Sequence, residues 1–251
     1  ILGSLLILVS GMLIGLIINS GDTNQATNAS PKISSQLTIS SEDVERSPLF
    51  ASDEPVASVA ETVAPSVVRI DTATGTGSGI IYDENGSVVT NAHVVLGADT
   101  VEIQLADGTR ATGKVLGSDP AVDIAIVQIE GNLNFRKATF ATLDTIRVGQ
   151  LAVAIGSPFG LEQSVTAGIV SAVNRAVPTL NVENGSRTVL EMIQTDAPIN
   201  PWNSGGALVD RQGRVVGMNT LIRTDGTVEG NLGVGFAIPT DTIFLVTERI
   251  A

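Results

Sequence analysis

The chain contains no cysteine, so disulfides, thiolate metal sites and cysteine nucleophiles are all excluded. It has one histidine, His93, among 251 residues, which rules out mechanisms built on two imidazoles, including most histidine zinc sites. No metal or other cofactor is therefore expected. Positive charge is scarce too: 14 Lys and Arg stand against 26 Asp and Glu, for a net charge of −12, with no dense basic run. A nucleic-acid partner is not expected, because phosphate binding needs a basic surface. Aromatic residues make up 3% of the chain, with a single tryptophan, Trp202. Apolar residues nonetheless reach 43%, enough for one large domain or two small lobes that share an interface.

The first 18 residues, ILGSLLILVSGMLIGLII, carry no charge. A run of that length is about the minimum for a spanning helix and exceeds the ~7–15 residues of a signal-peptide core. No clear A-x-A site follows, which favours a retained anchor over a cleaved signal. Residues 19–54 are rich in Ser, Thr, Asn and acidic side chains without periodicity and read as a flexible linker. Dense patterning starts near Val56. VASVAETVAPSVVRI predicts a short amphipathic helix and then a strand after Pro65.

Short alternating or apolar runs follow at close spacing. GSGIIYD and SVVTN flank Asn85-Gly86, and VEIQL and ATGKVL flank Asp107-Gly108, the dipeptides of tight hairpins. DIAIVQIE, LAVAIG, SVTAGIVSAV, GALVD, RVVGMNT and GVGFAIP continue the series. Roughly ten to twelve strands without alternating helices predict an all-β domain of two packed antiparallel barrels over residues 55–251. PTDTIFLVTERI predicts a C-terminal helix, with Thr240 or Asp241 near its N-cap.

Three residue types in this chain suit serine hydrolysis, which needs a nucleophile, an imidazole and a carboxylate that holds the imidazole in one tautomer. His93 ends an apolar strand in VVTNAHVVLGA. GSDPAVDIAIVQIE offers two carboxylates. Asp119 precedes Pro120 and reads as a turn residue. Asp123 opens an apolar run, where burial demands a partner, although an exposed strand-end Asp fits the pattern as well. In NSGGAL the glycines allow a sharp turn that would leave Ser204 exposed before the strand ALVD, with backbone N–H groups able to meet an oxyanion.

The stretches TNAHVV, DIAIVQI, GSPFGLEQSVTAGIVSA, QTDAPIN and NSGGAL stand in one order from about residue 56 to 250. In that order the sequence resembles the HtrA (Deg) family of serine proteases. The resemblance implies a chymotrypsin-like double β-barrel and endopeptidase activity on unfolded extracytoplasmic polypeptide, in protein quality control. It implies His93 as general base, Asp123 as its orienting acid and Ser204 as nucleophile. The turn Trp202-Asn203-Ser204 would form the oxyanion hole, with the amides of Trp202 and Ser204 as donors. Ile199 and, from NTLIR, Leu221 and Ile222 fall in regions that line the primary specificity pocket of this fold. Their apolar character suggests a small or medium aliphatic side chain before the cut. Asp196 lies too far upstream to serve as a pocket-floor charge.

The same resemblance implies a homotrimer, and Leu49 and Phe50 in the polar leader SPLFASDEPVASVA are expected to pack against a neighbouring subunit. It implies a membrane-tethered protease domain outside the cytoplasm. The stretches NVENGSRTVLE and IRTDGTVEGN read as polar, Gly-rich regulatory loops. Family members usually continue into PDZ domains; this chain stops at Ala251, and trimming at both ends is expected.

One departure concerns the turn itself. The family usually has glycine where this chain has Trp202. Left-handed backbone forced on a bulky residue costs ~1–2 kcal/mol. Such strain would leave a peptide-binding chaperone or stress sensor with impaired catalysis; a negative φ at Trp202 would leave a working protease. A non-proteolytic esterase is a more distant alternative.

Overall fold

The computed structural model describes residues 54–157, 163–180, 185, 187–220 and 233–250. The expected anchor 1–18, residues 19–53 of the linker with Leu49 and Phe50, Leu221, Ile222 and the stretch IRTDGTVEGN all lie outside the described residues. Among the described residues no helix is long and apolar enough to cross a membrane.

Helix α1 (Pro55–Val63) begins on proline, whose fixed φ suits a first helical position, and it buries Val59 and Val63 one turn apart. The chain then enters a closed six-stranded barrel: β1 (Val67–Asp71), β2 (Thr76–Ile81), β3 (Ser87–Thr90), β4 (Thr100–Gln104), β5 (Arg110–Asp119) and β6 (Ile124–Ile129), in the order β1-β2-β3-β6-β5-β4. Both anticipated hairpins form. Gly86 at φ 85° turns β2 into β3, and Gly108 at φ 86° turns β4 into β5, left-handed angles that glycine adopts without a Cβ penalty.

The second half contains β7 (Thr139–Phe140), β8 (Leu151–Gly156), β9 (Ser164–Leu180), β10 (Arg187–Thr195), β11 (Ala207–Val209), β12 (Arg214–Thr220) and β13 (Gly235–Pro239). Their order is β11-β8-β9-β10-β13-β12-β7, and β11 also pairs with β12, which returns the sheet on itself. The strands of each barrel pair antiparallel, apart from the short parallel contact of β7 with β12. This is the double antiparallel barrel expected, of the chymotrypsin type.

One local expectation needs correction. Arg187–Glu191, in the stretch that reads as a regulatory loop, belongs to β10 and pairs with β9 from Leu180↔Arg187 onward. Its polar alternation is that of an exposed ribbon, with Val189 facing solvent, rather than of a loop. The C-terminal helix α2 (Thr240–Ile250) forms as expected and starts at Thr240, which is fully buried and whose hydroxyl donates to the Val215 carbonyl on β12.

Each barrel has its own core. Val68, Ile70, Ile81, Val88, Ile103 and Val127 fill the first; Ala152, Ala154, Val170, Ile193, Leu208 and Val216 fill part of the second. A third buried cluster joins them. Val59 and Val63 of α1 and Val67, Ile80 and Ile124 of the first barrel meet Val153, Ile155, Met218 and Ile238 of the second, with Ile243 and Val246 of α2. Tyr82, Phe140 and Phe244 stack at 5.4–6.1 Å between centroids and tie α2 to both halves. The two barrels thus share an apolar seam closed by both helices. Replacing Ile243, 0% exposed, by alanine should cost ~2–5 kcal/mol in a denaturant melt. Leu245→Ala, at a position 52% exposed on the same helix, should stay within about 0.5 kcal/mol.

Candidate active site

The apolar strand β3 ends at Thr90, and the chain passes through Asn91 into a 3₁₀ turn, Ala92–Val94, that carries His93. β3 pairs antiparallel with β6, with Thr90 opposite Ala125. That register sets the residues after β3 beside those before β6, where Asp123 stands. His93 Nδ1 lies 2.9 Å from Asp123 Oδ2 and 3.0 Å from Oδ1. The His93 backbone N–H donates to Oδ1 at 3.0 Å, and the Asn91 side-chain amide donates to the Asp123 carbonyl at 3.1 Å. An ionised carboxylate only accepts, so the proton must sit on Nδ1, leaving Nε2 as the imidazole's acceptor.

Asp123 also receives a third donor, the Thr220 hydroxyl at the end of β12, 3.0 Å from Oδ2. Sequence reasoning does not single out Thr220. It lies 97 positions from Asp123, and nothing local to NTLIR marks it. Asp123 has φ 60°, left-handed backbone uncommon outside glycine but tolerated by Asp and Asn. Asp119 is a turn residue, as its sequence suggests: its carboxylate accepts the Ala121 N–H at 3.0 Å.

Ser204 corrects an expectation. Its glycine-rich turn predicts an exposed serine, yet it is 1% exposed. The cause is the first barrel, which covers the turn: Ser78 N–H on β2 donates to the Ser204 carbonyl at 2.9 Å. Gly205, at φ 83°, sits where a Cβ would collide with the Ser78 carbonyl and the Thr90 hydroxyl, so glycine is required there twice over. Gly205 N–H donates to the Asn219 carbonyl, and Asn219 N–H to the Gly206 carbonyl, at 2.9 and 2.8 Å. The turn is thereby anchored next to Thr220, which holds Asp123, and next to Thr90, which precedes His93 by three residues. The turn is thus linked to a residue next to Thr220, the partner of Asp123, and to the strand that leads into His93.

The residues before Ser204, Pro201–Asn203, form a 3₁₀ turn, with Asn203 N–H donating to the Asn200 carbonyl at 2.9 Å. A 3₁₀ turn is right-handed, with φ near −50° to −70°. The left-handed strain weighed for Trp202 is therefore absent, and its side chain stands 47% exposed. Asn203 is buried, and its Nδ2 has no hydrogen-bond partner. Ile199, 2% exposed, packs against Gly235, where an added Cβ would lie 2.9 Å from Ile199 Cδ1. Asp196 accepts the Ile169 N–H at 2.6 Å and pins its loop to β9 rather than flooring a pocket.

Two surface hollows among the described residues lie away from these groups. One, of about 480 Å³, is lined by Asp71, Thr72, Glu102 and Arg110 on the first barrel; the other, of about 230 Å³, by residues that include Asn174, Glu191 and Leu245. At the first hollow, burial works to raise the Asp71 carboxyl, but bonds from Arg69 and Thr76 hold it below the usual carboxylate range. Among the described residues no cluster of three or more His, Asp or Glu side chains could hold a metal ion.

Comparison with known proteins gives the family. The trypsin-like peptidase domain family matches residues 77–218, a span that includes His93, Asp123 and Ser204. The chain is thus a trypsin-like peptidase by family. Within that class it is 48% identical over 176 residues to the periplasmic serine endoprotease DegP of Salmonella typhimurium, covering 69% of this chain and 35% of DegP. It is 43% identical over 213 residues to the serine protease PepD of Mycobacterium tuberculosis, covering 78% of this chain and 46% of PepD. The solved HtrA-type protease AlgW with a tripeptide superposes at TM-score 0.68 and 40% identity, covering 78% of this chain and 63% of that one. The chain belongs to the HtrA family of serine proteases. It spans about a third to a half of the length of these curated relatives.

The imidazole geometry is directly testable, because His93 is the only histidine and yields a single set of ring resonances. Nitrogen-detected NMR near pH 8 should show the Nδ1–H tautomer. Asp123→Asn should move the proton to Nε2, because the amide can then donate to Nδ1; an unchanged tautomer would mean that Asp123 does not set it.

Proposed function

We propose that the chain is a serine endopeptidase domain in which His93, Asp123 and Ser204 act as a triad. The observation that carries this reading is the His93 Nδ1–Asp123 pair, braced by Thr220, beside a serine on a turn pinned by both barrels. In the first step Ser204 Oγ attacks the scissile carbonyl carbon while Nε2 of His93 takes its proton. Asp123 stabilises the imidazolium that forms and remains ionised. The imidazolium then protonates the departing amine, leaving an acyl-enzyme. Water, deprotonated by the same Nε2, hydrolyses the ester and restores Ser204.

The oxyanion is assigned to amides of the 202–204 turn, chiefly those of Trp202 and Ser204. In the 3₁₀ form one donor of this turn, Asn203 N–H, is committed to the Asn200 carbonyl. We read this as a resting form that becomes competent when the Pro201–Trp202 peptide rotates on substrate binding. For the primary specificity pocket we assign Ile199, Leu221 and Ile222, whose apolar character favours a small or medium aliphatic residue before the cut.

The substrate class we assign is unfolded extracytoplasmic polypeptide. Support comes from the periplasmic serine endoprotease DegP among the relatives and the peptide-bound AlgW among the neighbours. Tethering by residues 1–18 and trimer assembly through the segment around Leu49 and Phe50 complete the proposal. The alternative, a peptide-holding chaperone or stress sensor, rests on catalysis impaired by Trp202, and it holds if the turn does not leave its 3₁₀ form on substrate binding.

Labelling with a fluorophosphonate probe, together with casein cleavage, tests the triad. Ser204→Ala should abolish both. Asp123→Asn should lower turnover by ~10⁴, the size of the tautomer effect in the chymotrypsin example. Cleavage by a pure Ser204→Ala preparation would remove Ser204 as nucleophile, and a tenfold effect or less at Asp123 would point to another acceptor.

Trp202→Gly tests the resting form. Glycine frees the backbone to rotate, so kcat on a small peptide ester should rise with KM little changed, because the gain is specific to the transition state. A level or lower kcat would show that the turn is competent with tryptophan in place.

A further inference from the structure

We propose that Ser78 is a positioning residue for the Ser204 turn, with its hydroxyl locking the Trp202–Asn203 peptide and linking that peptide to Ser157. Ser78 is fully buried on β2 between Gly77 and Gly79, in a stretch where an apolar side chain would satisfy the barrel. A hydroxyl there must be bonded or it costs stability, and both of its capacities are used. Oγ donates to the Trp202 carbonyl at 2.8 Å and accepts the Ser157 N–H, at the end of β8, at 2.9 Å.

Ser78 meets the turn at three points. Its N–H holds the Ser204 carbonyl, its hydroxyl holds the Trp202 carbonyl, and its own carbonyl lies under Gly205. A peptide unit is planar, so fixing the Trp202 carbonyl also fixes the Asn203 N–H, which reaches the Asn200 carbonyl at 2.9 Å. The hydroxyl therefore holds the Trp202–Asn203 peptide and, through it, the backbone that leads into Ser204. Because the same oxygen accepts from Ser157, a displacement of the chain at the end of β8 is transmitted to Trp202 across the seam between the barrels.

This inference rests on the proposed role of Ser204, so its test has one arm that needs turnover and one that does not. In the first, Ser78→Ala is compared with Thr240→Val, which removes a buried hydroxyl outside the site, the one that donates to the Val215 carbonyl at 3.1 Å. Turnover is expressed per active site titrated with a fluorophosphonate. Ser78→Ala should lower kcat about tenfold to a hundredfold, the scale of a small misplacement at a reacting centre. KM should stay within about twofold, and the pH midpoint of kcat/KM, set by His93, should not move. Thr240→Val should change kcat less than about threefold. An equal loss in both variants, or wild-type turnover per titrated site in Ser78→Ala, would overturn the proposal.

The second arm uses the single tryptophan as a reporter. With 5-fluorotryptophan at position 202 and Ser204→Ala as background, the protein should give one sharp fluorine line. Adding Ser78→Ala should broaden or split it, as the turn exchanges between forms on the microsecond-to-millisecond scale. An unchanged line would overturn the positioning role even if Ser204 proves to be the nucleophile. A broadened line in a chain without protease activity would keep the positioning role and reject the triad. Should Ser78→Ala not fold, Ser78→Cys, which keeps the shape and weakens the donor, is read in the same two assays.

Discussion

Asp123 carries a half-buried carboxylate to the seam between two β-barrels, where a partly shielded charge is stabilised by hydrogen-bond donors. Three donors arrive from three places: the His93 backbone N–H, the His93 ring and the Thr220 hydroxyl of the second barrel. To meet them Asp123 adopts left-handed backbone at φ 60°, a conformation whose cost the surroundings must offset. Satisfying this one group fixes the imidazole tautomer, the entry of His93 into its 3₁₀ turn, and the approach of β12 to the first barrel. The bonds that satisfy this carboxylate are also those the proposed triad would use.

The seam itself explains why a serine in a glycine-rich turn ends up covered rather than exposed. In sequence the turn belongs to the second barrel, directly before β11. Its carbonyls, however, are held by Ser78 of β2, and Gly205 is pressed against that strand. Each barrel supplies part of the candidate site and part of the restraint on the other's share. The apolar cluster built from Val59, Ile80, Ile155, Met218 and Ile243 keeps the barrels in register, so bonds of about 3 Å can form across them.

Features set by short-range chemistry are legible in the amino-acid sequence alone. The hairpins at Gly86 and Gly108 depend on residues that glycine and its Asn or Asp neighbour supply locally. Helix α1 follows from Pro55 and the spacing of Val59 and Val63, and the order of His93, Asp123 and Ser204 follows from motifs of a few residues each. What escapes such reading depends on partners distant in sequence. Thr220 reaches Asp123 across 97 positions, and Ser78 reaches Trp202 across 124. The burial of Ser204 is imposed by a strand that no pattern in NSGGAL mentions. The start of β10 resembles a loop in sequence because its residues alternate polar and apolar on an exposed ribbon, where polarity says little about pairing.

Trp202 shows how one substitution can be silent in one state of a site and costly in another. A right-handed 3₁₀ turn asks nothing special of its residues, so tryptophan sits there unstrained with its indole partly in solvent. Glycine at the same position would also visit left-handed angles freely, whereas tryptophan forced into them loses ~1–2 kcal/mol. A penalty of that size shifts an equilibrium between two forms of the turn by roughly 5- to 30-fold. The substitution therefore leaves the fold intact and acts on the population of whichever form needs the Pro201–Trp202 peptide turned. If the proposed triad acts as assigned, substrate binding energy has to supply that difference before the turn can receive an oxyanion.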